Sequence, residues 1–244
     1  MNEAAALQIM RLGQKGQKYH LEDVVSHVWG EIPRTYFPNR ATTKSGIRYA
    51  VERESYRGVA SHRQGIRPDV VIIKLHTTIR QGRQQQREPK LAERDIAFIK
   101  CKAASEDVPN GWHSAIREAV KRLETAHAMR KIYLIIAIGL RWLPFLWDPT
   151  TPLDSPLKVL KKNQRDGWLV DRRLRPIEAR RGQLPGQRHI ANINGMLVVD
   201  TTLAYSLNFW EIAGNGQLLH EKDLVLLESF LCLIKTTKYV GWNS

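Results

Sequence analysis

Acidic side chains are in short supply in this chain. Its 244 residues carry 24 Asp and Glu against 38 Lys and Arg, a formal net charge of +14 at pH 7. A deficit of that size favours polyanionic partners, nucleic acid first. Cysteine is nearly absent: Cys101 and Cys232 alone build no disulfide framework, so a reducing, intracellular setting is expected. Long apolar runs are missing too. The longest, residues 132–140, ends after nine residues at Arg141, about half of what a bilayer span needs, so no membrane partner is expected. Residues 1–11 lack the basic start and apolar centre of a secretory signal. Neither GxxxxGK followed by Ser or Thr nor GxGxxG occurs, which leaves nucleotide-driven chemistry without support. CxxC is absent and the eight histidines include no i, i+4 pair, so no zinc site is expected.

What is present is ordinary globular material, 43% hydrophobic and 25% charged, enough to exclude wholesale disorder. Leu21, Val24, Val25, Val28, Trp29 and Ile32 follow the spacing of one helix face. Residues 46–57 alternate like a strand. Pro68 then precedes the β-branched run from Asp69 to Leu75, and residues 95–103 (DIAFIKCKA) form a further buried strand. After the turn at Pro109-Asn110-Gly111, the residues Trp112, Ala115, Ile116, Ala119, Val120, Leu123 and Ala126 form a helical stripe. Arg117, Glu118, Lys121, Arg122 and Glu124 are expected to face away from it. Residues 131–140 return to a strand pattern. Strand, helix, strand implies a right-handed crossover and a parallel pair within a mixed sheet, hence an α/β fold.

Two segments read as exposed loops. Residues 78–94 carry five basic and two acidic side chains; residues 157–188 carry ten basic and three acidic, so their net +7 is half of the whole surplus. Clustered cations make a phosphate-binding surface. Lys158, Lys161, Lys162, Arg165, Arg172, Arg173, Arg175, Arg180 and Arg181 are the expected nucleic-acid contacts. Of the tryptophans near these cations, Trp142, Trp147 and Trp168 are candidates for stacking on bases, with core packing the alternative. Asn194-Gly195 marks a hairpin between residues 188–193 and 196–202, and residues 205–212 a further strand. Nine of the twelve residues 223–234 are apolar, a helix buried on most sides or paired with a second chain as a homodimer.

Chemistry concentrates on the two central strands. Asp69 puts a carboxylate at the head of an apolar strand, where burial without compensation costs several kcal/mol. Lys100 and Lys102 alternate with Ile99 and Cys101 and therefore share one face of theirs. The order of Arg67-Pro68-Asp69-Val70-Val71-Ile72, Phe98-Ile99-Lys100-Cys101-Lys102-Ala103, a helix and a strand resembles the PD-(D/E)XK nuclease superfamily, and is similar to fungal nuclease-like domains. The resemblance covers residues 21–140. It implies a restriction-endonuclease-like mixed sheet core (α-β-β-β-α-β) and a magnesium- or manganese-dependent phosphodiesterase acting on nucleic acid, DNA favoured. Asp69 would be the metal ligand, Lys102 the catalytic lysine and Glu22 an assisting acid of the first helix, with Glu31 and Glu54 behind it.

One position departs from the family pattern. Lys100 stands where the family has Glu or Asp, and an ammonium beside a divalent cation repels it strongly. Loss of activity, a second acid supplied by Glu54, or an accidental match would each account for it. Asp95, five residues from Lys100, is expected on the opposite face. The expected organisation is an N-terminal segment (1–20), a nuclease-like core (21–148) and an α+β extension (149–244) packed on it. A metal-dependent nuclease impaired by Lys100 is the leading expectation. A non-catalytic nucleic-acid-binding or protein-interaction module on the same fold is the alternative; the setting expected is intracellular, and the basic clusters read as a weak nuclear address.

Overall fold

The computed structural model describes residues 22–39, 47–53, 70–81, 87–150, 154, 156–161, 167–177, 188–208 and 210–237. Helix α1 (Glu22–Tyr36) leads into strands β1 (Ile47–Arg53), β2 (Val70–Gln81) and β3 (Arg87–Lys102), then helix α2 (Pro109–Ala126) and strands β4 (Ile132–Ile138) and β5 (Arg141–Trp147). The expected α-β-β-β-α-β order is present. β1, β2 and β3 form an antiparallel meander, and β3 pairs with β4 in parallel across the α2 crossover. The chain is thus α/β with a mixed sheet ordered β1-β2-β3-β4-β5-β11; β8 (Leu174–Arg175) also pairs with β5, and β11 is Tyr205–Ser206.

Both faces of this sheet are covered. Val25, Val28, Trp29 and Ile32 of α1 meet Val70, Ile72, Ala97, Ile99 and Cys101 on one face. The apolar side of helix α3 (Glu221–Thr236) joins them through Leu226, Leu227, Phe230, Leu231 and Ile234. That packing within the chain buries five of the nine apolar residues read between residues 223 and 234, while Val225 and Cys232 stay exposed. On the other face Trp112, Ala115, Ile116, Ala119 and Leu123 of α2 meet Val71, Ile73, Phe98, Leu134 and Ile136. The same cluster takes in Val159 and Val199 from a second, four-stranded sheet ordered β7-β6-β10-β9. Its strands are β6 (Lys158–Leu160), β7 (Gly167–Leu169), β9 (Ile190–Ile193) and β10 (Met196–Val199). Asn194 and Gly195, at φ 53° and 80°, make the expected two-residue turn between β9 and β10, both in the left-handed region that a type I′ turn requires.

Four expectations are corrected. Residues 78–94 are not a loop: Thr78–Gln81 and Arg87–Arg94 continue the β2–β3 ladder, with Gln81 opposite Arg87. The ladder is made of backbone hydrogen bonds, so a polar sequence does not prevent it. Residues 157–188 are not one exposed loop either, since β6, β7 and β8 lie within it. The strand read at residues 205–212 is only Tyr205–Ser206. Finally, Asp95 shares a face with Phe98 and Lys100. The register shifts between Ile72 and Ile73, leaving Ile96 as an extra residue on β3, and Ile96 and Ala97 both enter the α1-side core. A bulge of this kind reverses the alternation on either side of it. Asp95 accordingly borders a small cavity with Phe98, Arg122, Leu123 and His127 of the α2 side. Among the described residues no helix is long and apolar enough to cross a membrane.

Candidate functional site

The end of β3 is the place where charged side chains from three elements converge. Val70, the first described residue of β2, pairs with Ile99. From Lys100 onward β3 is therefore flanked, among the described residues, by β4 alone, with Lys100 opposite Ile136 and Lys102 opposite Ile138. Gly139 fixes this end. It opens the tight β4–β5 turn at φ 56° and its N–H donates to the Lys102 carbonyl at 3.1 Å. A Cβ there would stand 2.7 Å from that of Ala104, so the close approach and the backbone conformation both require glycine.

Ile99 and Cys101 point into the α1-side core, so Lys100 and Lys102 point to the α2 side, as expected from alternation. Lys100 Nζ lies 3.5 Å from Glu22 Oε1 and 3.6 Å from Glu118 Oε2; Lys102 Nζ lies 3.0 Å from Glu118 Oε2 and 3.9 Å from Glu22 Oε2. Each carboxylate thus faces both ammoniums. Glu22 reaches the pair from the first turn of α1, and Glu118 from the middle of α2. The Lys100 side chain is only 8% exposed, whereas Glu22 and Glu118 are 43% and 40% exposed. Two neighbouring cations in a half-buried position repel unless counter-charges stand between them. The two glutamates supply that charge.

The site therefore unites Glu22, Lys100 and Lys102 among the residues singled out from sequence, and adds Glu118. Glu118 and Arg122 correct the expectation that they face away from the core: they lie on the flank of α2 turned towards the sheet, and Arg122 is buried. The signal was their four-residue spacing on one side of the apolar stripe. Asp95 belongs elsewhere, paired with His127 at 3.4 Å, nine residues along α2 from Glu118 or roughly 13 Å. Asp69 and Glu54 lie outside the described residues.

A magnesium or manganese ion asks for several converging oxygen ligands. The oxygens that converge here, those of Glu22 and Glu118, already close on two ammoniums, and the four side chains sum to no net charge. Among the described residues no group of three or more His, Cys, Asp or Glu is placed to hold a metal ion. The described donor set does not fit the implied cation.

The basic residues divide into two kinds. Arg173 is tied to Asp171 and Glu124 and lies over the Trp147 ring, 4.7 Å from its centroid. Arg175 meets the buried Asp148 at 3.1 Å. Burial opposes ionisation of Asp148, yet hydrogen bonds from Lys131 and Thr150 bring its pKa down to about 2. Arg188 grips Asp223 with two 2.8 Å hydrogen bonds. Arg173 and Arg175 fasten the second half of the chain to the core through Glu124 and Asp148, and Arg188 ties the segment before β9 to α3. The others lie at the surface: Lys158 and Lys161 are half-buried on and just after β6, and Arg172 is exposed. On α2, Arg117 and Lys121 are exposed between the Glu118 flank and the flank bearing His113. Lys162, Arg165, Arg180 and Arg181 lie outside the described residues.

The tryptophans divide in the same way. Trp142 and Trp147 are buried in the core. Trp168, on β7, is half-buried and stacks on His113 with ring centroids 4.9 Å apart and planes 13° from parallel. Comparison with protein-family models, with curated proteins and with solved structures finds no match to this chain.

Proposed function

We propose that this chain is a nucleic-acid-binding protein, DNA favoured, built on a PD-(D/E)XK-like core whose catalytic centre is closed by its own lysine. The observation that carries this reading is the Lys100 ammonium, held between Glu22 and Glu118 in the position where a nuclease of that kind needs an acid. Likeness to the superfamily draws support from the α-β-β-β-α-β order, the parallel β3–β4 pair and the meeting of Glu22, Lys100 and Lys102 at one strand end. An ammonium contributes the positive charge a metal would bring, but it activates no water and leaves no coordination position open for phosphate.

Binding in this account is electrostatic and independent of metal. Arg117, Lys121, Lys158 and Arg172 present cations at the surface, Lys161 lies over the Trp168 ring, and Arg173, Arg175 and Arg188 are occupied within the fold. Affinity then falls steeply with salt as condensed counterions are released from the nucleic acid. Nuclease assays with magnesium and with manganese test the closed centre. The unmodified chain is expected to bind DNA without cutting it. Lys100→Glu removes the ammonium and restores the acid, and is expected to gain metal-dependent cleavage that Asp69→Ala abolishes. Cutting by the unmodified chain would overturn the reading and point to an acid beyond the described residues, with Glu54 the first to replace.

A further inference from the structure

The aromatic pair on the α2 flank lies apart from the lysine–glutamate centre, and the closed centre makes no use of it. Trp168 sits on β7, an edge strand of the second sheet, with Val159 of β6 directly opposite. Its neighbour Gly167 runs so close to β6 that a Cβ there would stand 2.5 Å from the Val159 carbonyl oxygen. Tight strand pairing holds the indole on a rigid element, as a recognition platform requires. His113, in the first turns of α2, lies parallel to the indole, and Lys161 Nζ stands 5.1 Å from the indole centroid. Burial first, then the nearby charges of Arg117 and Lys161, lowers the His113 pKa. At neutral pH the imidazole is therefore an uncharged flat ring.

Two stacked rings, the Lys161 ammonium over the indole and the exposed Arg117–Lys121 face leading across α2 towards Glu118 form a polar–aromatic track. Charge complementarity fixes the class of occupant as a polyanion, and the ring pair narrows it to one that offers a flat face. In a duplex the base faces are covered by their neighbours, whereas an unpaired base is free to stack. We propose that the His113–Trp168 pair receives an unpaired base of single-stranded nucleic acid, while the exposed Arg117 and Lys121 hold its flanking phosphates. This deepens the nucleic-acid-binding reading and rests on it.

The test is a titration of the full chain with labelled single-stranded DNA, with a duplex of the same sequence, and with a single strand carrying the fluorescent base 2-aminopurine. Trp168→Ala and His113→Ala are each expected to weaken single-strand binding roughly tenfold, within the range of one base–aromatic stack. They should also remove 2-aminopurine quenching and leave duplex affinity within about twofold. Trp168→Phe and His113→Phe keep a flat ring and should retain both properties. They also keep the test valid if an alanine variant proves unfolded in a thermal melt. Folded alanine variants with unchanged single-strand affinity and quenching overturn the platform, as does an equal loss on single strand and duplex. If the unmodified chain binds neither DNA, the nucleic-acid-binding reading itself fails, a different outcome from binding that ignores Trp168.

Discussion

Lys100 is the residue on which the proposed closed centre turns, and its energetics are asymmetric. Its ammonium is almost fully buried, while the carboxylates that neutralise it are well exposed. Removing the buried charge strands nothing; removing its partners strands the charge. Lys100→Met is therefore expected to leave thermal stability unchanged or to raise it. The Glu22→Gln/Glu118→Gln pair should cost about 3 kcal/mol in denaturant titrations, more than the sum of the single changes, because either glutamate alone still faces both ammoniums. Equal effects from all these variants would mean that the four charges do not act as a unit. Much of this site was legible in advance: alternation put Lys100 and Lys102 together, and the first helix supplied Glu22. Glu118 escaped because it sits on the margin of the α2 stripe, where a charged residue reads as solvent-facing whether or not a strand end lies beneath it.

Among elements, the bulge on β3 and the β4–β5 turn determine how the strand end is presented. The α2 crossover could be read from the chain because its apolar stripe and the flanking β-branched runs have distinct periods. The bulge could not, since one inserted residue leaves no trace in a run as apolar as Ile96-Ala97-Phe98-Ile99, and it carried Asp95 to the other face. The extended β2–β3 ribbon was hidden for a related reason: its ladder is satisfied by backbone groups, and polarity was the wrong guide. Gly139 gives a sharp test at this scale. Gly139→Ala must place a Cβ at 2.7 Å from Ala104 Cβ in a left-handed conformation. A loss of about 2 kcal/mol is expected, accompanied by a change in the nearby lysine–glutamate contacts. A neutral substitution would show that the turn relaxes freely and does not hold the end of β3.

At the scale of the whole molecule, Arg173, Arg175 and a buried histidine stand where the second half of the chain meets the core. His189 lies against Tyr205 and edge-on to Phe145, and burial drives its pKa down to about 3. The folded state therefore refuses a proton that the unfolded chain accepts near pH 6.5. Its contribution to stability is complete above about pH 6.5 and is lost as pH falls from there towards 3, at up to about 1.4 kcal/mol per pH unit. Chemical denaturation at pH 7, 6 and 5 should show that decline, and a flat profile would contradict a neutral, buried His189. The charge surplus was the plainest message of the sequence, but its division between internal anchors and surface cations was not. Arg173 has Asp171 beside it in sequence, but its contact with Glu124, that of Arg175 with Asp148 and that of Arg188 with Asp223 are brought together only by the fold. If the remaining cations serve nucleic acid without help from metal, one measurement shows it most directly: anisotropy of labelled DNA titrated with the full chain in EDTA across a series of KCl concentrations. Binding that persists in EDTA and weakens linearly on a log–log plot, with a slope corresponding to several phosphate contacts, is the predicted result. Absence of binding at low salt, or binding that appears only when magnesium is restored, would contradict it.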